Sequence, residues 1–94
     1  GRIIQRANSA AVTVISPNPA QNMVSVKFSV PKETAVMLSL TDARGVLIQT
    51  LAEGWYIRGD HSIDFDASAI PSGSYMIMLH TEQDRISRPL QLVR

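Results

Sequence analysis

The sequence predicts an all-β domain folded as an antiparallel sandwich, and three observations lead to this expectation. Apolar and polar residues alternate along several short runs, turn-forming residues separate these runs about every ten residues, and no run has the spacing of an amphipathic helix. Hydrophobic residues make up 45% of the 94 residues, whereas aromatic residues make up only 5%. We therefore expect one core, built mainly from Val, Ile, Leu and Met side chains.

The first half of the chain contains the clearest strand signals. A short strand is predicted at residues 11–15, and the run Met23–Val30 places its valines and its phenylalanine on one face. Pro31 interrupts this alternation, which resumes at residues 36–41. We interpret the two alternating runs as an antiparallel pair of neighbouring strands.

Turn residues divide the middle of the chain. The Asp-Ala-Arg-Gly segment at residues 42–45 predicts a hairpin loop that leads into a strand at residues 46–51. An aspartate at the first turn position bonds nearby amides, and a glycine at the fourth tolerates positive φ. Residues 53–54 and Gly59 predict two further turns, and Trp55 between them is expected to be partly exposed.

The last third of the chain continues the same pattern. Residues 62–66 alternate as a strand, and residues 70–73 turn the chain. Along residues 75–80 the odd positions are predicted to face the core and the even positions to be half-covered. A last strand is predicted at residues 86–93, where Pro89 lacks an N–H and therefore indicates an edge position or a bulge. About seven strands at this spacing are typical of an immunoglobulin-like sandwich.

The composition excludes several classes of function. Nine basic and eight acidic residues give a formal net charge of +1, which provides no field for a nucleic acid or an anionic membrane. The chain has no cysteine, so it has neither a disulfide framework nor a thiolate metal site. Residues 1–12 lack a secretory signal, and no run is long enough to cross a membrane. We expect residues 1–12 to be a linker or lead-in and residues 13–94 to be one domain of a larger protein.

Several motifs follow one another along residues 14–94. They are Ser16-Pro17-Asn18-Pro19-Ala20, the alternating run that ends in Val30-Pro31, Leu40-Thr41-Asp42-Ala43-Arg44-Gly45, Gly59-Asp60-His61, Ile70-Pro71-Ser72-Gly73-Ser74-Tyr75, and the apolar-basic stretch at residues 90–94. In this order and spacing the chain resembles the C-terminal sorting domain, type A, of the type IX (Por) secretion system. Each motif also has a structural purpose, because prolines stiffen a segment and glycines permit turns.

The resemblance implies a non-catalytic secretion signal, without a cofactor or a metal, at the C-terminus of a cargo protein from a Bacteroidetes-type bacterium. Domains of this family fold in the periplasm, and the outer-membrane translocon and its shuttle protein then recognise them. A cell-surface sortase commonly removes the domain and attaches the cargo, so the implied location is the outer-membrane surface or the extracellular space. The sorting motif corresponds to Pro17, Asn18, Pro19, Asp42, Gly45, Gly73 and Tyr75.

Two regions are candidates for contact with that apparatus. A cut is expected within residues 1–12, where small and polar residues offer an accessible backbone: Asn8, Ser9, Ala10 and Ala11. At the other terminus we expect an exposed strand with unpaired backbone groups, which adds to the sheet of a partner. The candidates for translocon recognition on that strand are Leu90, Leu92, Val93 and Arg94.

Other patterns in the sequence suggest competing functions. Arg58, Gly59 and Asp60 form the RGD tripeptide of integrin ligands, although a glycine is already expected at this turn. The runner-up function, which does not depend on this tripeptide, is an immunoglobulin-like structural or adhesive stalk module of a surface protein.

Two enzymatic or metal-binding patterns carry less weight. His61, Ser62 and Asp64 do not make a catalytic triad, since neighbours along a strand point to opposite faces. Alternating aspartates at residues 60–66 are more typical of a solvated strand than of a calcium site.

Trp55 either anchors a partner or caps the open end of the sandwich, and the sequence leaves both alternatives open.

Overall fold

A computed structural model describes residues 9–93 as two antiparallel β-sheets packed face to face. Seven strands follow one another along the chain: β1 (Ala11–Ser16), β2 (Met23–Val30), β3 (Thr34–Asp42), β4 (Leu47–Tyr56), β5 (Gly59–Asp66), β6 (Gly73–Thr81) and β7 (Arg85–Leu92). One sheet has the order β1-β2-β5, and the other has the order β4-β3-β6-β7. This architecture confirms the predicted all-β, immunoglobulin-like sandwich.

The core lies between the sheets because alternation directs one face of each strand inward. In β2, Val24, Val26 and Phe28 are at most 1% exposed, whereas Lys27 between them is exposed. From Tyr75 to Thr81 the odd positions of β6 are buried and the even positions are half-buried or exposed, as the sequence predicts. The other large side chains that are fully buried come from several strands: Val12, Leu38, Leu40, Ile77, Leu79, Leu90 and Leu92.

The predicted pairing of β2 with β3 is wrong. β2 pairs with β1 and β5, whereas β3 pairs with β4 and β6, so residues 31–33 carry the chain from one sheet to the other. Alternation specifies which face of a strand is buried, but it does not specify the neighbouring strand. The inward faces of β2 and β3 lie in opposite sheets, on the two sides of the core.

The turn predicted at residues 53–54 is also wrong, whereas the hairpin loop before β4 is confirmed. β4 continues through Gly54, which lies opposite Val36, and the connection to β5 is the short segment at residues 57–58. The hydrogen-bond ladder with β3 outweighs the low strand preference of a single glycine. Trp55 is 61% exposed, as expected, and its Nε1 donates to the carboxylate of Glu33.

The loops of the sandwich lie at two opposite ends. At one end, which we call the lead-in end, the N–H of Ala10 donates to Asp84 Oδ2 (3.0 Å) in the β6–β7 turn. Ala10 and Val12 are 4% and 2% exposed, so structured residues begin before position 13. The other end, which we call the motif end, contains the loops at residues 17–22, 43–46 and 67–72 and the last residues of β7.

Candidate functional site

The Pro-Asn-Pro motif at residues 17–19 lies along the outer edge of β7. Asn18 Nδ2 donates to the carbonyl oxygen of Pro89 (3.0 Å), and the N–H of Gln91 donates to Asn18 Oδ1 (3.1 Å). One amide side chain therefore satisfies two backbone groups that an edge strand otherwise leaves to water. Pro89 itself has no N–H to satisfy, and its position in an edge strand is the one that the sequence predicts.

Ala20, directly after the motif, extends this contact through its backbone. Its N–H donates to the carbonyl oxygen of Gln91 (2.8 Å), and its carbonyl oxygen accepts the N–H of Val93 (2.8 Å). A short parallel bridge thus joins Ala20 to Leu92, and the side chain of Ala20 is 0% exposed. We refer to residues 18–20, which hold the edge of β7 in this way, as the clamp.

The clamp corrects the expectation that the terminal strand presents an open edge. Leu90 and Leu92 are 1% and 2% exposed, so both side chains belong to the core, and the backbone beside them is already paired. Val93 is 49% exposed, although its N–H is bonded to the clamp. Arg94 lies outside the described residues. A recognition role for these four residues stays a prediction.

Asp42 and Gly45 build the β3–β4 loop. Asp42 Oδ1 accepts the N–H groups of Arg44 (2.8 Å) and Val46 (3.0 Å), and the N–H of Gly45 donates to the Asp42 carbonyl oxygen (3.0 Å). The φ of Gly45 is 88°, a conformation in which a side chain is strained. The aspartate and the glycine therefore specify the loop geometry together.

The same contacts change the acidity of Asp42. The N–H of Val46 has the largest effect and lowers the pKa of this carboxyl group below its ordinary value. The amide and the guanidinium of Arg44 lower the pKa further, the latter at 3.3 Å from Asp42 Oδ2, whereas desolvation opposes the shift. Asp42 is thus a loop-forming anion at neutral pH.

Tyr75 fixes the turn between β5 and β6. Its ring is 8% exposed, and its hydroxyl donates to the carbonyl oxygen of Pro71 (2.6 Å). Gly73 lies beside the ring, since a Cβ at this position would be 3.6 Å from Tyr75 Cε2. The three residues hold the turn against the sandwich, in the same way that a buried tyrosine commonly stabilises a corner of this fold.

All the sorting-motif residues therefore come together at the motif end. Asp42 lies opposite Tyr75 in the β3–β6 ladder, and Gly73 lies opposite Leu92 in the β6–β7 ladder. The clamp bonds to Pro89 and Gln91, which precede Leu92 on β7. Segments that are separate in sequence therefore lie at the same end of the sandwich, opposite to the end that contains Ala10.

Three of the processing candidates, Ser9, Ala10 and Ala11, lie at the lead-in end instead, as does the RGD tripeptide. Ser9 is exposed, whereas Ala10 is buried and Ala11 begins β1, so neither alanine offers the accessible backbone that the sequence suggests. Burial against the β6–β7 turn is the physical reason. Asn8 lies outside the described residues.

The RGD tripeptide occupies the β4–β5 connection. Arg58 and Asp60 are exposed, while Gly59 is the first residue of β5 and pairs with Val30. The β4–β5 connection alone therefore explains the glycine at this position. An adhesive role for the tripeptide stays a prediction.

The remaining candidate residues have structural partners. His61 packs against the rings of Phe28 and Tyr56, with centroid distances of 5.4 and 4.9 Å, and its Nε2 donates to the Ile57 carbonyl oxygen (2.8 Å). Ser62 lies on the other face of β5, 3.4 Å from the hydroxyl of Ser25. Within residues 9–93, no three His, Asp or Glu side chains are grouped to hold a metal ion. The same residues contain no helix that is long and apolar enough to cross a membrane.

Sequence reasoning missed Ala20 and Gln91. Both act through backbone groups, and a small apolar residue and an exposed glutamine have no periodic signal that predicts such a contact. Only the proximity of Ala20 to the Pro-Asn-Pro motif indicates that this position is special.

One of three comparisons with known proteins finds a match. No curated protein and no solved structure matches the chain. One family model, described as the secretion system C-terminal sorting domain, matches residues 14–92 and thus includes the clamp, the turns at residues 42–45 and 70–73, and all of β7. Because this match covers most of the 94 residues, the chain belongs to the family of type IX secretion C-terminal sorting domains.

Proposed function

We propose that this chain directs a larger cargo protein of a Bacteroidetes-type bacterium to the outer-membrane surface or the extracellular space. The type IX translocon and its outer-membrane shuttle protein recognise the folded domain, and a cell-surface sortase then removes it and attaches the cargo. Family membership supports the first part, because sorting domains of this kind signal export across the outer membrane. We also propose that the domain is of the type A subtype and that both the shuttle protein and the sortase act on it.

One observation supports this proposal most strongly, namely the convergence of the sorting motif at the motif end. Ala10, through which the chain joins any preceding cargo, lies at the opposite end. A receptor that contacts the motif end therefore meets no obstruction from the cargo. A cut before Ala10 releases the domain without breaking any strand, since β1 begins at Ala11.

The clamp changes the expected mode of recognition. A partner strand cannot add to β7 beside Gln91, because the clamp already occupies that edge. We infer that the receptor reads the shape of the assembled motif end, on which Asn18, Pro19 and Val93 are exposed. Leu90 and Leu92 contribute by packing in the core and keeping β7 in place.

A fusion experiment tests the proposal. Residues 1–94 are fused to the C-terminus of a fluorescent protein that carries a signal peptide, and the fusion is expressed with and without a working type IX translocon. We expect display on the cell surface or release only with the translocon. Equal periplasmic retention of the folded fusion in both strains would favour the stalk-module alternative.

Variants at the two ends make the experiment specific. Deletion of the last five residues is expected to trap the cargo in the periplasm, but it also removes Leu90 and Leu92 from the core. The substitution Val93→Glu changes only an exposed side chain and is expected to reduce export while the domain stays folded. Arg58→Ala, at an exposed site of the lead-in end, is the matched control and should export normally. Normal export of Val93→Glu would contradict recognition through this surface.

The position of any cut is measured on the same exported material. Mass spectrometry of the released domain is expected to place its first residue at or before Ala10, because a later cut would remove the buried Ala10. A released domain that begins after Val12 would show that processing requires prior unfolding of β1.

A further inference from the structure

β4 is an edge strand on whose outer side no bonded segment or row of charges lies in the described sandwich, although two register shifts interrupt its ladder with β3. The clamp covers part of β7, and the guanidinium of Arg88 donates to the carbonyl oxygen of Val12 (3.1 Å) at the edge of β1. β5 carries charged aspartates along its length. β4 is ten residues long, contains no proline and has Glu53 as its single charged residue. Within residues 9–93, β4 pairs with β3 alone.

The exposed apolar side chains of the domain concentrate at this edge. Nine large hydrophobic residues are exposed in the described part of the chain, and five of them lie on β4 or next to its ends: Val46 51%, Leu47 56%, Ile48 43%, Trp55 61% and Ile57 67%. An unpaired strand with exposed apolar side chains is a template for another strand. The middle of β4, at residues 49–53, is more polar than its two ends.

The register of β4 makes it complementary to itself. Its outer face carries Leu47 and Trp55, which pair with Thr41 and Ala35 of β3. These two partners lie three positions on either side of Leu38, and Leu38 pairs with Ala52. Two register shifts each add a residue to β4 between Ala52 and Leu47, so Leu47 and Trp55 lie equally far along the ladder from Ala52. A two-fold axis at Ala52 consequently places Leu47 of one copy opposite Trp55 of a second copy.

The polar middle of the strand matches under the same two-fold operation. Thr50 pairs with Ser39 and Glu53 with Met37, one position on either side of Leu38. Glu53 of one copy therefore faces Thr50 of the other, and the two glutamates do not oppose each other. Like charges directly across a strand pair are destabilising, so this register avoids the main electrostatic cost.

We propose that a second copy of this chain docks on β4, strand to strand and antiparallel, so that the two four-stranded sheets form one sheet of eight strands. The interface is isologous, with the same surface on both copies. Two Leu47–Trp55 contacts close its ends, and the ladder between the two β4 strands provides its centre. A second copy fits better than an unrelated strand, since both the apolar ends and the single charge of β4 complement the same strand.

Sedimentation equilibrium of residues 1–94 tests this proposal. A concentration series from about 5 μM to about 500 μM spans the dissociation constants of small interfaces. The mass is expected to rise from 10.3 kDa toward twice that value. When each variant is measured by itself, Leu47→Glu and Trp55→Arg are both expected to raise the dissociation constant of the dimer at least about tenfold. Val14→Glu, at a side chain 45% exposed on β1, is the matched control and should associate like the parent.

Mixing the two charged variants tests the register itself. In an equimolar mixture, the introduced glutamate of one copy faces the introduced arginine of the other, and the second Leu47–Trp55 contact remains intact. We expect the mixture to regain the dimeric mass that neither variant reaches alone, which also shows that both variants are folded. A parent that remains at 10.3 kDa over the whole series, or a mixture that stays monomeric while the parent dimerises, would overturn the proposal.

Discussion

The substitution Asn18→Ala tests whether the clamp stabilises β7 or only rests on it. It removes two hydrogen bonds, one to the Pro89 carbonyl oxygen (3.0 Å) and one from the Gln91 N–H (3.1 Å). Each such bond contributes about 1 kcal/mol net, and water partly replaces both at this exposed site. We therefore expect the free energy of unfolding, measured by urea denaturation, to fall by about 1 to 2 kcal/mol.

The substitution Asn18→Asp separates the two bonds. A carboxylate still accepts the N–H of Gln91, but it cannot donate to the carbonyl oxygen of Pro89, and the two oxygens repel each other. At pH 7 we expect Asn18→Asp to lose at least as much stability as Asn18→Ala. An aspartate variant as stable as the parent would show that the bond to Pro89 contributes nothing.

Amide hydrogen exchange gives a local readout of the same change. In Asn18→Ala the N–H of Gln91 loses its acceptor and should exchange faster, whereas the N–H of Val93 keeps its bond to Ala20 (2.8 Å). A free energy of unfolding within about 0.5 kcal/mol of the parent, as in ordinary surface substitutions, together with continued protection of the Gln91 N–H, would show that the clamp does not stabilise β7.

Three further changes test other contacts of the motif end by urea denaturation. Leu92 is 2% exposed, so Leu92→Ala should leave a cavity and lower the free energy of unfolding by about 2 to 5 kcal/mol. Val93 is exposed, so Val93→Ala should lower it by less than about 0.5 kcal/mol. Equal losses would contradict the packing of Leu92 in the core. Tyr75→Phe removes the bond to the Pro71 carbonyl oxygen and should cost about 1 kcal/mol, so an unchanged stability would show that this bond contributes nothing. Because folding lowers the pKa of Asp42, its charge stabilises the fold above the unfolded pKa of about 4, and this stabilisation is lost as the pH falls through the lower folded value. The advantage of the parent over Asp42→Asn should therefore shrink between pH 7 and about pH 2.5, and a constant difference would argue against the shift.

Local features of the fold were predictable from the sequence because their causes are local. The alternation of Met23–Val30 specifies a strand with one buried face, and the loop at residues 42–45 is built from contacts within five residues. The burial of β6 follows the same rule. In each case the side chains that cause the structure are neighbours along the chain.

Long-range features were not predictable in this way. β2 and β3 are consecutive, yet they lie in different sheets, and periodicity is the same for either arrangement. The clamp joins Asn18 to residues 71 and 73 positions away, through backbone atoms that every residue possesses. The resemblance to a family identified the motif residues, but only the structure shows that two of the motifs touch each other.

The clamp also requires that the whole domain be present before the motif end can form. Residues 18–20 leave the ribosome before Pro89 and Gln91, so the partners of the clamp are among the last residues of the domain to be made. A chain that stops before β7 never completes this surface. Recognition at the motif end, as proposed, thereby excludes unfinished proteins from export.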